Sequence, residues 1–434
     1  MVCRGIVCQG DVFDMSDTKI YACIDLKSFF ASVECVERGL DPLKTNLVVA
    51  DKARGNGAIC LAVSPALKAL GVRNRCRIYE IPKDIEYITA LPRMKLYIEY
   101  SANVYETYLK YISKDDIHVY SIDECFLDLT PYLNLYEKTA KELVLMLIKA
   151  VFNSTGITAS AGYGTNMFLA KIALDITAKH AEDNIGYLDE KEFRRTIWRH
   201  RPITDIWNVG KGTAHRLEKY GVYDLYGVTK LPEKILYKEF GTNAEFLIDH
   251  ANGYEPCTIK EIHEYTAKTA SLSNSQIFFE DYNFKDAFVC VKEMIDLLSL
   301  ELIDKNLVTG SISLTVNYSK NIHSSTGGTR KLSNYINCYT SLVKAFKELY
   351  EETTLKEYPI RQVSVSVNNI TEEEFIQISL FEDNKLNEKE RKAQEAIIKI
   401  KNKYGKNSVV RGISLEEKAT GCQRNKMIGG HNGG

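Results

Sequence analysis

YSIDECFLDL, residues 120–129, sets two acids, Asp123 and Glu124, side by side in an otherwise apolar run. Neighbouring residues of a strand point to opposite faces, so one straight strand here would bury a carboxylate. An ionised carboxylate is costly to bury unless it is paired or bound to metal. The stretch divides instead into two strand arms, IHVYSI (117–122) and CFLDL (125–129), with the acids at or near the tip of a hairpin. At a tip the strict alternation relaxes, and both acids reach the same space. Ile122, Phe126 and Leu127 then anchor the arms, and Asp128 reads as structural.

A third acid belongs with them. Asp25 ends the short apolar strand IYACID (20–25). Alone it reads as a cap or turn residue. Beside Asp123 and Glu124 it completes a group that repels itself unless divalent cations bridge it. Hard oxygen ligands at that density suit Mg²⁺, which takes a few carboxylates together with substrate phosphates. Two such ions can clamp an in-line phosphoryl displacement, one activating the attacking oxygen and one steadying the leaving group.

The rest of the chain is compatible with such an enzyme. Its 434 residues suit roughly three domains on the usual length prior, and 45% hydrophobic with 26% charged residues is ordinary globular composition. Apolar runs such as 47–50 and 312–316 are too short to span a bilayer. The first residues carry no signal-peptide pattern, so a cytoplasmic protein without membrane contact is expected. The 11 Cys include no C-x-x-C pair and lie in apolar contexts, which predicts reduced, buried thiols.

The net charge of −1 does not point to nucleic acid, but its distribution is uneven. No acid lies between Asp51 and Glu80, where Lys52, Arg54, Lys68, Arg73, Arg75 and Arg77 occur. None lies between Asp304 and Glu348, which holds Lys305, Lys320, Arg330, Lys331, Lys344 and Lys347. Such stretches are either the footprint of a phosphate-binding surface or solvated faces whose counter-charges come from elsewhere in the fold.

Strands and helices alternate without the regular spacing of a doubly wound sheet, so the fold class is α+β and multidomain. KSFFASVECVE has helical spacing, with Phe29, Val33 and Val36 on one face. SPALKALGV reads as a helix opened by Ser64, with Pro65 at its first position and Gly71 ending it. Residues 184–255 are mostly helical, 256–265 read as a polar linker, and 266–375 form a second α+β unit. Beyond Ile376 the chain is charged and ends in MIGGHNGG, which predicts disorder. There is no internal repeat.

IDLKSFFASVE (24–34), followed downstream by YSIDECFLDL, resembles the Y-family translesion DNA polymerases of the UmuC type (ImpB/MucB/SamB), closest to their Gram-positive UV-damage-repair branch. The resemblance runs over about residues 20–381. It implies a right-hand-like polymerase. Palm would be 1–28 and 96–183, fingers 29–95, a helical thumb with a helix-hairpin-helix 184–255, linker 256–265, little finger 266–375, and a tail 376–434.

The resemblance also implies roles. Asp25, Asp123, Glu124 and the backbone carbonyl of Leu26 would hold two Mg²⁺ ions. Lys27 stands where many relatives have Asp or Asn, a position not needed as a ligand. Phe30 would be the steric gate that excludes a 2′-hydroxyl, with Phe29 in the core. Ser64, Lys68 and Lys179 would meet the dNTP phosphates, although Ser64 replaces a frequent Tyr. Lys179 lies one residue further from Lys171 than in some relatives. In WNVGKGTAHRL (207–217), Gly210, Lys211 and Gly212 would form the DNA-binding turn, with His215 and Arg216 adding charge. Asn208 replaces a frequent Gly. Arg330 and Lys331 would grip the duplex backbone. Gln377, Leu380 and Phe381, in QISLF, would dock to the sliding clamp (beta subunit). The need for an UmuD-like subunit stays open.

The function implied is DNA-directed DNA synthesis past lesions in the DNA damage (SOS) response, with low fidelity and no proofreading. The primer 3′-oxygen would attack the α-phosphate of a bound dNTP on primer-template DNA. A non-catalytic DNA- or clamp-binding accessory of the same fold is the alternative, and three intact carboxylates weigh against it. A metal nuclease or nucleotide cyclase is a second rival. The gate helix, the G-x-G turn and the clamp peptide have no reason to accompany it.

Overall fold

The computed structural model of the chain describes residues 19–266, 270–320, 322–373 and 384–433. The chain divides into two units, Met1–Tyr265 and Thr266–Gly433.

In the first unit, β1 (Tyr21–Leu26) leads into α1 (Phe29–Val36) through Ser28, whose backbone is left-handed at φ 51°. A small three-stranded sheet follows, built from β2 (Leu47–Val49), β3 (Ala62–Val63) and β4 (Ile88–Ala90), with α2 (Pro65–Ala69) between the last two. Then come α3 (Met94–Leu109), β5 (Ile117–Val119), β6 (Glu124–Asp128), α4 (Thr130–Leu135), α5 (Ala140–Thr155), β7 (Ala159–Gly164) and α6 (Met167–Ile172). A π-helical turn (Ala173–Thr177) and a 3₁₀ turn (Ala178–His180) continue α6 before β8 (Ile185–Leu188).

The main sheet has the order β5-β6-β1-β7-β8, and β1 pairs antiparallel with both β6 and β7. Both of its faces are covered, which explains why YACIDL is apolar at almost every position. Ala22, Ile24 and Leu26 join Tyr97, Tyr108, Leu143 and Leu147 on one side. Tyr21, Cys23 and Phe126 meet Met167, Ala170 and Leu174 on the other. Gly162 and Gly186 let α6 and its π-turn lie directly on this second face. A side chain at Gly162 would collide with the backbone of Leu174 and Ala170, and one at Gly186 with that of Ala173.

Helices α7 (Glu190–Thr196), α8 (Lys211–Glu218), α9 (Leu225–Val228), α10 (Glu233–Phe240) and α11 (Ala244–Ala251) gather around Phe193, Leu217, Leu236 and Leu247. The stretch expected as a linker forms α12 (Ile259–Glu264) instead. A reciprocal cap between Thr258 and Glu261 starts it, and Ile259 is buried with Tyr21 and Phe126. A single buried turn leaves no periodic pattern to read.

The second unit runs β9 (Leu272–Tyr282), α13 (Phe284–Asp304), β10 (Leu307–Tyr318), β11 (Thr326–Ile336), α14 (Tyr339–Thr353) and β12 (Ile360–Glu372). Its antiparallel sheet has the order β11-β10-β12-β9. Ile312, Leu314, Val316, Val363, Val365 and Val367 pack against the helices. The alternating residues, Ser311, Ser313, Ser364 and Ser366, take the opposite face.

The tail expected to be disordered is folded from residue 384 to 433. It forms α15 (Asn384–Tyr404), α16 (Gly421–Arg424) and a hairpin of β13 (Met427–Ile428) with β14 (His431–Asn432). Buried Gln394 donates to Ser299 Oγ at 2.7 Å. Buried Glu293 accepts from the backbone N–H groups of Thr420 and Gly421, each at 2.9 Å. Arg391 pairs with Glu373 at 2.6 Å. A few buried polar anchors thus hold a segment whose composition is too charged to announce a core. No described helix is long and apolar enough to cross a membrane. Cys23, Cys35, Cys60, Cys76, Cys125 and Cys290 are buried thiols.

Candidate active site

The β1–β6 register sets Asp25 directly opposite Glu124. Residues opposite each other in an antiparallel pair share a face, so both carboxylates project to the side covered by α6. Glu124 is the first residue of β6 rather than part of the hairpin tip. The backbone N–H groups of Tyr120 and Ser121 both donate to its carbonyl at 3.0 Å, which closes the turn. Asp123 lies in that turn, before the strand begins. Its carbonyl accepts from Leu26 N at 3.0 Å and its carboxylate from Ser121 Oγ at 2.6 Å. The alternation that opposes adjacent side chains therefore does not bind Asp123.

The three acids act on one another. Burial, then the charges of Asp123 and Glu124, push the Asp25 carboxyl up to about 7, with Lys171 opposing. Lys171, on α6, places Nζ 2.7 Å from Glu124 Oε1 and 3.0 Å from Asp175 Oδ1. Burial works against its charge, but Asp175 and Glu124 hold the ammonium protonated above its ordinary range. The Cys23 thiol donates to the same Glu124 oxygen at 2.8 Å, and burial and Glu124 push that thiol well up.

Among the described residues, no three Asp, Glu, His or Cys side chains stand arranged to hold an ion as they are. The donor set still fits a hard divalent cation. Three carboxylates lie within electrostatic reach, burial and the other two acids raise the pKa of one of them, and an ammonium occupies the cationic role against Glu124.

The flanking residues divide. Lys68 is exposed on α2; burial pulls its ammonium below the ordinary range while the nearby Asp25 charge opposes this. Ser64 is buried, and its oxygen accepts from Leu47 N (3.0 Å) and Leu67 N (3.3 Å), so it serves as the cap of α2. Its full burial, rather than its capping bonds, stands against the phosphate contact expected of it. Lys179 is exposed in the 3₁₀ turn. The π-turn between Lys171 and Lys179 is where one additional residue fits in a helix. Lys27 donates to Asn184 Oδ1 at 2.5 Å, and burial lowers its pKa.

Phe29 is in the core, whereas Phe30 is half-buried and stacks on Tyr97, with ring centroids 4.5 Å apart at 17°. The Tyr97 hydroxyl donates to Glu34 Oε1 at 2.8 Å. Glu34 is fully buried and takes two hydrogen bonds from Arg93, at 2.9 and 2.8 Å, and another from Arg38. Burial pushes its carboxyl up, but these hydrogen bonds outweigh that and hold it below the usual range. Sequence reasoning missed Glu34, Tyr97, Cys23 and the pairing of Lys171. The available signal was a single charge inside an apolar helical run, in FFASVEC and FLAKIAL. Such a charge requires a buried partner.

Gly210 caps α8, and Gly210, Lys211 and Gly212 are all exposed, with open space around both glycines. Asn208 adopts the left-handed conformation at φ 65°, which Asn tolerates better than most residues. His215 lies 3.5 Å from Glu218. Arg216 does not project freely. It donates to the Glu239 carbonyl at 2.7 Å and stacks on Phe240.

Arg330 and Lys331 point to opposite faces of the second sheet. Arg330 is opposite Ile312, on the helix side, and pairs with Glu348 (3.3 Å) and Glu352 of α14. This corrects its placement on an open DNA-binding face. Lys331 is opposite Ser311 and exposed on the open face. That face carries hydroxyls and amides, linked as Ser313–Thr329 (2.8 Å), Ser275–Ser364 (2.6 Å) and Asn368–Ser313 (2.8 Å). Lys305 and Lys347 also find acids, Glu301 at 2.6 Å and Glu351 at 3.8 Å. Gln377, Leu380 and Phe381 lie outside the described residues.

Residues 24–175 match the impB/mucB/samB family, and residues 269–380 match the C-terminal domain of that family. UvrX of Bacillus subtilis strain 168, named for UV-damage repair, is 30% identical over 417 residues, covering 94% of this chain and 96% of the relative. A protein named DNA polymerase IV 2 from the same organism is 28% identical over 426 residues, 96% of this chain and 100% of the relative. Among solved structures, a Y-family DNA polymerase chimera of Dbh and Dpo4 superposes with a TM-score of 0.62 at 22% identity, covering 81% of this chain and 99% of that one, which is a likeness of fold. With its strand-end acids brought into register on such a fold, the chain belongs to the impB/mucB/samB family.

Proposed function

We propose that this protein is a cytoplasmic DNA-directed DNA polymerase that extends primers across damaged template, one deoxynucleotide at a time, as part of the response to DNA damage. The observation that carries the reading is the pairing of Asp25 with Glu124 across β1 and β6, with Asp123 released into the adjoining turn. Asp25, Asp123, Glu124 and the carbonyl of Leu26 would hold two Mg²⁺ ions, which when bound supply an activated primer 3′-oxygen and charge neutralisation on the departing pyrophosphate.

The surrounding residues orient the substrate. Lys68, within electrostatic reach of Asp25, and Lys179, exposed beyond the π-turn, offer positive charge to the triphosphate. Phe30, backed by Tyr97, closes the space that a ribose 2′-hydroxyl needs. The exposed backbone at Gly210 and Gly212, with Lys211, suits a DNA phosphate. Lys331 on the hydroxyl-covered sheet of the second unit suits the duplex backbone without reading sequence. The short segment between α1 and α3 leaves little protein to close over the nascent pair, which favours lesion tolerance over fidelity. Gln377, Leu380 and Phe381 fit a clamp-docking peptide, with two apolar anchors and a polar register residue.

Primer extension with Mg²⁺ on templates carrying an abasic site or a thymine dimer tests this. Products longer than the lesion position are expected. Binding of primer-template with no extension, even on undamaged DNA, would favour a non-catalytic accessory.

A further inference from the structure

Glu124 is the most enclosed of the three carboxylates, yet it does not wait for a metal ion unaccompanied. Lys171 Nζ and Cys23 Sγ both contact its Oε1, at 2.7 and 2.8 Å. The side chains of Lys171 and Glu124 are only 10% and 9% exposed, so solvent does little to screen either charge. Lys171 is also shared: Asp175, one turn along at the junction of α6 and the π-turn, lies 3.0 Å from the same ammonium. Asp175 is 32% exposed, more open to solvent than Glu124.

This geometry differs from an ordinary buried pair. An ammonium with two acid partners can give up one of them without being stranded. Gly162 and Gly186 let the backbone of this segment lie directly on the sheet, which fixes where Lys171 and Asp175 start from.

We propose that Lys171 is a resident counter-cation of the active site, a positioning residue that neutralises Glu124 in the ion-free protein and yields to metal loading by falling back on Asp175. The inference rests on reading Asp25, Asp123 and Glu124 as metal ligands. It gives Lys171 and Asp175 opposite effects on metal affinity, although neither is a ligand. Lys171 competes with the incoming ions, and Asp175 relieves that competition.

The test is a titration of the full chain with Mn²⁺, without DNA or nucleotide, following free Mn²⁺ by electron paramagnetic resonance. Mg²⁺-dependent thermal stabilisation provides a second readout. Lys171→Met should bind Mn²⁺ about tenfold more tightly and gain more melting temperature from Mg²⁺ than wild type, because a buried like charge has been removed. Asp175→Asn should bind about threefold more weakly, since the ammonium then has Glu124 alone. Lys171→Arg, which keeps the charge, should stay near wild type. If both Lys171→Met and Asp175→Asn weaken binding together, Lys171 is only a structural pair and the proposal fails. If wild type takes up no more Mn²⁺ than Asp123→Asn does, the metal-site reading itself fails, and the proposal with it. If Lys171→Met does not fold, Lys171→Gln, which removes the charge but keeps a donor for Glu124, takes its place: tighter Mn²⁺ binding than wild type is expected, and weaker binding overturns the proposal.

Discussion

Of Asp25, Asp123 and Glu124, Glu124 has an ion pair, with Lys171, whereas Lys305, Arg330 and Lys347 each have glutamates of their own. Both groups stand out in the sequence as like charges, the acids in apolar runs and the bases in an acid-free stretch. The difference lies in how the segments are built. Lys305 and Lys347 meet Glu301 and Glu351 across one helical turn, and Arg330 reaches two glutamates on the helix beneath its strand. Helices place partners three and four residues away at no topological cost. Asp25 and Glu124 come from strand ends and Asp123 from a turn, so no local partner exists. Charge left unneutralised by a rigid framework is what a metal-and-phosphate site needs. Charge neutralised on the spot is structural.

That contrast can be broken at several points. If the acidic group binds a nucleotide, Phe30 faces its sugar. Phe30→Ala should then lower the discrimination between dNTP and rNTP by about a hundredfold, measured as the ratio of single-nucleotide incorporation efficiencies. Unchanged discrimination would remove Phe30 from the gate. A smaller effect separates the two basic neighbours. Lys331→Ala should weaken DNA binding and reduce the slope of log affinity against log salt by about one. Arg330→Ala should leave that slope alone and cost under about 1 kcal/mol of stability in urea unfolding. Equal effects on the salt slope would put both residues on the DNA.

The smallest effect concerns a like-charge pair that forms only in acid. The His118 ring lies 6.3 Å from that of His263 on α12, and burial, then His263, lower its pKa from 6.5. Above 6.5 the residue is neutral in both folded and unfolded chains and costs nothing. As pH falls through 6.5, the unfolded chain takes up the proton more readily, so stability is lost until the lower folded pKa is reached. Thermal unfolding at about pH 8 and about pH 5.5 should show this loss in wild type and a smaller one in His118→Gln. Parallel losses in both would exclude His118 as the cause.

How much was legible in the sequence follows the same division. Asp123 and Glu124 stood out because two adjacent acids in an apolar run are hard to place, and Asp25 gained meaning only beside them. Helix α2 was readable from Ser64, Pro65 and Gly71, which are local signals. The fate of Arg330 was not readable, since the side of the sheet it takes depends on register with Ile312. The folded tail was hidden because Glu293 and Gln394 hold it by long-range contacts that composition does not record. Lys171 carried a signal that went unused: a lysine in FLAKIAL needs an acid partner, and Glu124 is that partner.

The central claim is that Asp123, though outside the strand, belongs to the chemistry. Single-nucleotide incorporation by Asp123→Asn with Mg²⁺ on an undamaged primer-template, beside wild type, tests it most directly. The substitution keeps the side-chain shape and the turn. The rate should fall by on the order of 10²–10³-fold or more with DNA binding and melting temperature retained. Incorporation at the wild-type rate by Asp123→Asn would contradict the account.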